Sequence, residues 1–365
     1  MKPLGVSIII CCHNGASRLP ETVRHIARQR VPASVDWEFL IIDNGSTDDS
    51  ARVARMEWQK HKVGAPLRVV KEPALGLSYA RARGFREARY EYTILCDDDN
   101  WLSEDYLATV FEILSENLNI GALGGFGKIV YEVEPPAPEL SYIFAAGPQA
   151  PRSGKVLDNK VYGAGCAIRH SAYQKLLGSG FKSMLTDRRG TELSSGGDYE
   201  LCLALAIMGY DIWYDERLRF IHFITAERLT WDYYLRYAYE SSRGFNILTS
   251  YKWVAANAKL NRTPWLLMFR NFLVCGKLFV SINLKRLTTR QQTVRKSLYF
   301  RHLLFKYKLM AYFVNFYEMV NIHRSILKFQ NSCRPPQHVL KPIARKEYAP
   351  SLKLSFFSKP SRPLQ

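Results

Sequence analysis

An apolar stretch, Ile94-Leu95-Cys96, runs directly into Asp97-Asp98-Asp99-Asn100. Three consecutive carboxylates repel one another unless a positive charge sits among them. Hard cations such as Mg2+ or Mn2+ take oxygen ligands, keep part of their water shell and bridge one or two carboxylates to nucleotide phosphates. Metal-assisted transfer from a phosphorylated donor is therefore the chemistry this triplet suits. A solvated acidic turn, capping a helix that starts near Ser103-Glu104-Asp105, is the alternative. Two further polar pairs follow apolar runs in the same way: His13-Asn14 after Val6–Cys12, and Asp43-Asn44 after Trp37–Ile42.

The elements that must position these residues alternate between two periodicities. Val6–Ile10, Trp37–Ile42, Leu67–Lys71, Tyr92–Cys96 and Ile120–Phe126 read as strands, the first apolar throughout as if covered on both faces. Leu19–Arg30, Ser78–Ala88 and Glu104–Asn117 read as helices, and Gly45 supplies a turn after which Ser46 or Thr47 can cap another. Strands separated by helices imply a parallel α/β sheet, whose ligands bind beyond the carboxyl ends of the strands. The three polar clusters then converge on one crevice.

With 47% hydrophobic and 13% aromatic residues, the 365-residue chain can bury one large core or two smaller ones, which excludes a disordered protein. Its seven cysteines are odd in number and lack CxxC spacing, a pattern of reduced thiols in a cytoplasm. The run Val6–Cys12 is too short for a secretory signal and continues into His13-Asn14-Gly15 without a cleavage site. Gly124-Gly125-Phe126-Gly127-Lys128 lacks the following Ser/Thr and the spacing of a phosphate-binding loop, and reads as a strand-edge turn.

Net charge is +18, and all of the excess lies in the C-terminal part. Residues 1–225 hold 26 Lys+Arg against 28 Asp+Glu, whereas residues 226–365 hold 25 against 5. Between Ser241 and Tyr317 basic residues alternate with aromatics and no acid occurs. Arg270 and Lys277 interrupt the apolar run Pro264–Leu284 seven residues apart, on one helical face, which suits a helix lying in a membrane interface better than one spanning it. Packing of these helices on the preceding domain, or in a dimer, is the alternative. No nucleic-acid-binding motif accompanies the charge, so nucleic acid is not expected as a partner. The organisation expected is an α/β domain over 1–225, a basic amphipathic helical region over 226–333 and a loose tail over 334–365.

Four segments, VSIIICCHNG (6–15), FLIIDNGSTDDS (39–50), GLSYARARGF (76–85) and LCDDDNWL (95–102), resemble successive motifs of the family 2 inverting glycosyltransferases. VYGAGCAIRHSAY (161–173) is similar to the family's acceptor-side strand and turn, and SGGDYELCLALAIMGYDIWYDERLRFIHF (195–223) to its catalytic helix and the strand pair behind it. The resemblance covers about residues 4–225. It implies a GT-A type, Rossmann-like mixed sheet flanked by helices, with the basic, mostly α-helical C-terminal region following. It also implies a nucleoside-diphosphate sugar as donor with Mn2+ or Mg2+ as cofactor.

The resemblance assigns roles as well. Asp43 accepts a hydrogen bond from the donor base, alongside Asn14, Asn44 and Ser46; Arg81, Asp97 and Asp98 complete the donor set; Asp99, with Asp97 and His222, faces the metal. Asp198, after Ser194-Ser195-Gly196-Gly197, becomes the base that deprotonates the acceptor hydroxyl in a single in-line displacement. Helix capping for Asp43 and Asp198, surface solvation for Arg81 and a buried structural role for His222 are the alternatives. Three positions depart from the family pattern: Gly197 where an acid often precedes the base, Ala82 where an Asn is common, and Cys11 in place of a frequent proline. Pro135-Pro136-Ala137-Pro138 lies in a segment, 132–160, expected to be flexible and to rim the acceptor pocket. The expected acceptor is a glycan or lipid-linked hydroxyl at the inner face of a membrane, reached by peripheral association. A non-catalytic nucleotide-binding module with a basic interaction surface is the competing function.

Overall fold

Strand β1 (Val6–Cys12) lies inside the sheet because both of its faces are apolar, and it pairs in parallel with β2 (Trp37–Asp43) and β4 (Tyr92–Cys96). The computed structural model describes residues 2–189, 193–256 and 263–333. Strand β3 (Leu67–Lys71) extends the parallel half beyond β2. Beyond β4 the sheet changes character. The short β8 (Ala167–Arg169) runs antiparallel between β4 and β6 (Ile120–Tyr131), and β6 pairs in parallel with β9 (Asp211–Ile224). Two short strands, β5 (Asn100–Leu102) and β7 (Gly154–Lys155), add to β9 antiparallel, giving nine strands among the described residues. The mixed α/β sheet is as expected, while the strand pair expected over 211–223 is one long strand.

Alternation along β1 divides the core into two layers. Ile8 and Ile10 face α1 (Leu19–Ala27), α2 (Ser50–Gln59) and α4 (Tyr106–Glu116), whereas Ile9 faces the layer that includes α3 (Leu77–Glu87), α5 (His170–Gly178) and α6 (Gly197–Ile207). Helix α3 comes close because Gly84 has no side chain: a Cβ there would lie 2.7 Å from Ile9 Cγ2. The glycines at 124–127 lie within β6 and are no turn. A Cβ on Gly125 would meet the Leu218 carbonyl at 2.1 Å, and the β6–β9 register shifts between Gly124 and Phe126. Segment 132–160, expected to be flexible, carries a 3-10 turn (Pro138–Ile143) and buries Ala137, Leu140, Phe144 and Val156.

The C-terminal helices α7 (Trp231–Arg243), α8 (Phe245–Ala255), α10 (Gln292–Val314) and α11 (Phe316–Ser332) pack onto the sheet domain through apolar side chains, and α9 (Pro264–Thr288) packs on α10 and α11. Tyr251 and Val254 of α8 and Ile326 of α11 join the cluster formed by Leu201, Leu203 and Leu205 of α6. Phe300 of α10 joins Leu140, Phe144 and Ile224. Residues up to Cys333 accordingly form one compact unit, and the segment read as a loose tail lies outside the described residues. Helix α9 is long and apolar enough to cross a membrane by length and composition. It turns Leu267, Met268, Asn271 and Cys275 inward and leaves Trp265, Phe269, Leu273, Val280, Leu284 and Leu287 exposed beside Arg270 and Lys277.

Candidate active site

The turns after β1 and β2 are laced together where they leave the sheet. Asn14, in a left-handed conformation (φ +51°), accepts from the Thr47 N–H at 2.8 Å through Oδ1 and donates its own N–H to Ser46 Oγ at 3.1 Å. Asp43 is buried, and its Oδ1 accepts from the Ser46 N–H at 3.1 Å. Among the described residues Asp43 Oδ2 takes no hydrogen bond. Asn44 is committed to the backbone: Nδ2 donates to the Glu72 and Ala74 carbonyls and Oδ1 accepts from Gly76 N–H, which shapes the entry to α3. Neither Ser46 nor Thr47 caps α2, whose first turn is instead met by Asp48 Oδ1 accepting from the Ser50 N–H.

The three consecutive acids diverge. Asp98 turns to α1, where Arg18 grips it with Nε at 3.1 Å and Nη2 at 2.7 Å. Both of its oxygens are thus taken by Arg18, although the sequence places it in the donor set. Gly15 makes room for it, since a Cβ there would lie 2.4 Å from Asp98 Oδ2. Asp99 turns to the other side. Its Oδ1 accepts from Asn100 Nδ2 at 3.0 Å, and its Oδ2 accepts from Arg228 Nη1 at 2.8 Å, 3.5 Å from His222 Nε2. Burial by itself pushes the Asp99 carboxyl up, but His222 and Arg228 overcome it and hold the group below the ordinary carboxylate range. Asp97 is half-buried, and its carboxylate takes no hydrogen bond among the described residues.

Asp99 Oδ2 and His222 Nε2, 3.5 Å apart, are donor types that Mn2+ or Mg2+ takes, and Arg228 Nη1 contacts both, at 2.8 Å and 3.3 Å. His222 Nδ1 meets the Ala145 carbonyl at 3.1 Å, which fixes the proton there and leaves Nε2 as the acceptor nitrogen, faced by Arg228 Nη1 at 3.3 Å. Asp97 is not drawn into this pair: among the described residues no group of three or more His, Cys, Asp or Glu could hold a metal.

A further cluster of charged side chains is built on α6. Asp198 stands in its first turn, half-buried, and the residue ahead of the helix is Gly196 (φ +116°), so Asp198 is not the N-cap. Its Oδ2 accepts from Gly163 N–H at 2.7 Å and its Oδ1 from Tyr199 N–H at 2.9 Å. Burial pushes the Asp198 carboxyl up, Arg81 pulls it down and Asp187 pushes it up again, leaving it above the ordinary value. Arg81, on α3, donates through Nη1 to Asp187 Oδ2 at 2.7 Å, and its charge also reaches Asp97. Glu200 is buried and clamps the loop before α6, accepting from Ser183 Oγ at 2.6 Å and from the Met184 and Leu185 N–H groups. Asp187, Arg18 and Arg228 are not singled out by the sequence, where Glu200 reads only as an acid that, with Asp198, suits the positive end of the helix dipole.

The family model described as "Glycosyl transferase family 2" matches residues 7–177, ending short of α6 and Asp198. Among curated proteins, a cholesterol galactosyltransferase of Borreliella burgdorferi is 30% identical over 106 residues, covering 29% of this chain and 28% of that protein. A poly-beta-1,6-N-acetyl-D-glucosamine synthase of Staphylococcus epidermidis is 26% identical over 125 residues, 34% of this chain and 29% of that protein. The poly(ribitol-phosphate) beta-N-acetylglucosaminyltransferase TarP of Staphylococcus aureus is 29% identical over 126 residues, 34% and 38% of the two chains. The matched part of this chain thus spans between 28% and 38% of the length of these relatives. The solved structure of a mannosyltransferase from Pyrobaculum calidifontis, in complex with GDP-Man and Mn2+, aligns with a TM-score of 0.54 at 16% identity, covering 91% of this chain and 86% of that one. The likeness is one of fold.

Proposed function

We propose that this chain, whose residues 7–177 match the glycosyl transferase family 2 model, is an inverting, metal-dependent transferase that moves a sugar from a nucleoside diphosphate to a hydroxyl. The observation that carries this reading is the line of charges across the crevice. Asp198 on the acceptor side and Asp97 on the donor side both interact with Arg81, and Asp97 and Asp99 both interact with Arg228. Asp43, with one oxygen open, accepts from the donor base while Asn14, Asn44 and Ser46 hold the two turns that place it. Asp99 and His222 would hold a divalent cation, whose charge would offset that of the departing diphosphate. Arg81 steadies the donor phosphates. Asp198, with its carboxyl raised by burial, is a stronger base than an exposed aspartate and takes the acceptor proton as that oxygen attacks the anomeric carbon. The anomeric configuration inverts.

The acceptor is a glycan or a lipid-linked glycan of the cell surface, reached from the cytoplasmic side. Support comes from the names of the matched relatives and from the outward face of α9, where exposed apolar side chains lie beside Arg270 and Lys277. Such a helix lies in the plane of an anionic bilayer, each basic contact adding about 1 kcal/mol. The test is a panel of UDP-, GDP- and dTDP-sugars with Mn2+ or Mg2+, followed by nucleoside diphosphate release and donor-induced thermal stabilisation. One donor is expected to give both responses, and only with metal. Release that is unchanged when EDTA replaces the metal would contradict the metal site, and release that survives Asp198→Asn would contradict the base.

A further inference from the structure

Gly197 stands immediately before Asp198 and has no side chain to contribute. A Cβ placed there would lie 2.2 Å from Asp187 Oδ2. The carboxylate of Asp187, from the loop ahead of α6, therefore fills the space that a side chain at 197 would take. Two contacts hold it: Oδ1 accepts the Gly197 N–H at 2.7 Å and Oδ2 accepts from Arg81 Nη1 at 2.7 Å. Asp187 is 4% exposed and has φ +53°, a left-handed conformation that a non-glycine residue adopts at a cost and keeps only when its surroundings enforce it. Arg81 in turn flanks the base. A Cβ on Gly163 would sit 3.0 Å from Arg81 Nη2 and 3.2 Å from Asp198 Oδ2.

We propose that Asp187 is a positioning residue for the base, supplying from a separate loop the acid that position 197 lacks and fixing Arg81 against Asp198. The inference rests on Asp198 being the base. Asp187 ties the first turn of α6 to α3, so the carboxylate at 198 and the guanidinium at 81 keep one relative placement. Among the described residues, the charged and titratable groups that act on Asp198 include Arg81 from α3, Asp187, Tyr162 and Cys166 from the segment before β8, Tyr199 on α6 itself and Tyr237 from α7. Of these Arg81 is a cation and Asp187 a carboxylate.

The test uses the full chain with aspartate labelled with 13C at the side-chain carboxyl. The resonance that Asp198→Asn removes reports on Asp198. In Asp187→Asn its titration midpoint is expected to fall, because a like charge is gone and Arg81 no longer shares its charge with Asp187. With the donor that stabilises the wild-type protein, Asp187→Asn should lose about 10- to 100-fold in kcat for nucleoside diphosphate release, with little change in KM. The acid limb of its pH profile should move to lower pH. Gly197→Asp collides with Asp187 and loses both activity and thermal stability; adding Asp187→Gly, which suits the positive φ, returns part of both. An Asp198 midpoint unmoved by Asp187→Asn, or a double variant no better than Gly197→Asp by itself, overturns the proposal. If wild-type protein turns over no donor, the functional reading fails, while the carboxyl midpoint and the thermal stability of the double variant still decide this one.

Discussion

Asp97, Asp98 and Asp99 leave one turn in different directions, and each meets different chemistry. Asp99→Asn is expected to remove the metal-dependent part of donor-induced stabilisation, and Asp198→Asn to abolish transfer while donor stabilisation remains; calorimetric unfolding with and without donor separates the two. For Asp98 the structure predicts a different loss. Arg18→Ala strands a largely buried carboxylate, so unfolding should become easier by about 1–3 kcal/mol, whereas KM for the donor should change little. A fall in donor affinity without a fall in stability would return Asp98 to the donor set. The acidic triplet was legible as a site because three like charges at a strand end require compensation. Its division was not, because which cation faces which acid depends on Arg18 and Arg228, far away in the chain and brought in by α1 and by the turn after β9. Asp187 was hidden for the same reason: nothing in the run Asp187-Arg188-Arg189 indicates that its path crosses the start of α6.

The elements that could be read from sequence are those with long apolar runs between polar breaks, namely β1 to β4 and α1, α3 and α4, which carry Arg81 on α3, and Asn14, Asp43 and the acidic triplet at or next to strand ends. The half of the sheet beyond β4 was harder. Its strand β8 has three residues, too few for a periodicity, and β6 hides its strand character behind glycines that permit close approach to β9. Helix α10 bears a side chain whose cost is readable as pH dependence. Lys308 is buried beside Phe245, Phe305 and Cys275, and burial lowers its ammonium from 10.5 to about 8. Below pH 8 the unfolded and folded chains both hold the proton and the burial cost is full. Between pH 8 and 10.5 the folded chain releases the proton first, so this cost recedes as pH rises. Lys308→Met should therefore raise the unfolding midpoint most at pH 7, with the advantage shrinking by pH 10. An advantage that does not change with pH would show that Lys308 does not titrate with folding.

At the scale of the whole molecule, a nearly neutral sheet domain carries a strongly basic helical layer whose outer face remains apolar. The full chain should co-sediment with vesicles containing anionic phospholipid, and less so as salt rises. Leu284→Glu with Leu287→Glu should weaken that association without moving the unfolding midpoint, because these side chains are 60% and 85% exposed. Equal binding by the variant, or no binding at low salt, would leave α9 without a role at a membrane. The inner face of the same layer has a separate consequence. Tyr251, Val254 and Ile326 share one apolar cluster with Leu201, Leu203 and Leu205, so the helix bearing Asp198 has no complete core without residues from beyond position 250. Backbone amides of α6 should thus exchange with solvent deuterium only as slowly as those of α8 and α11 allow, the three opening as one cooperative unit.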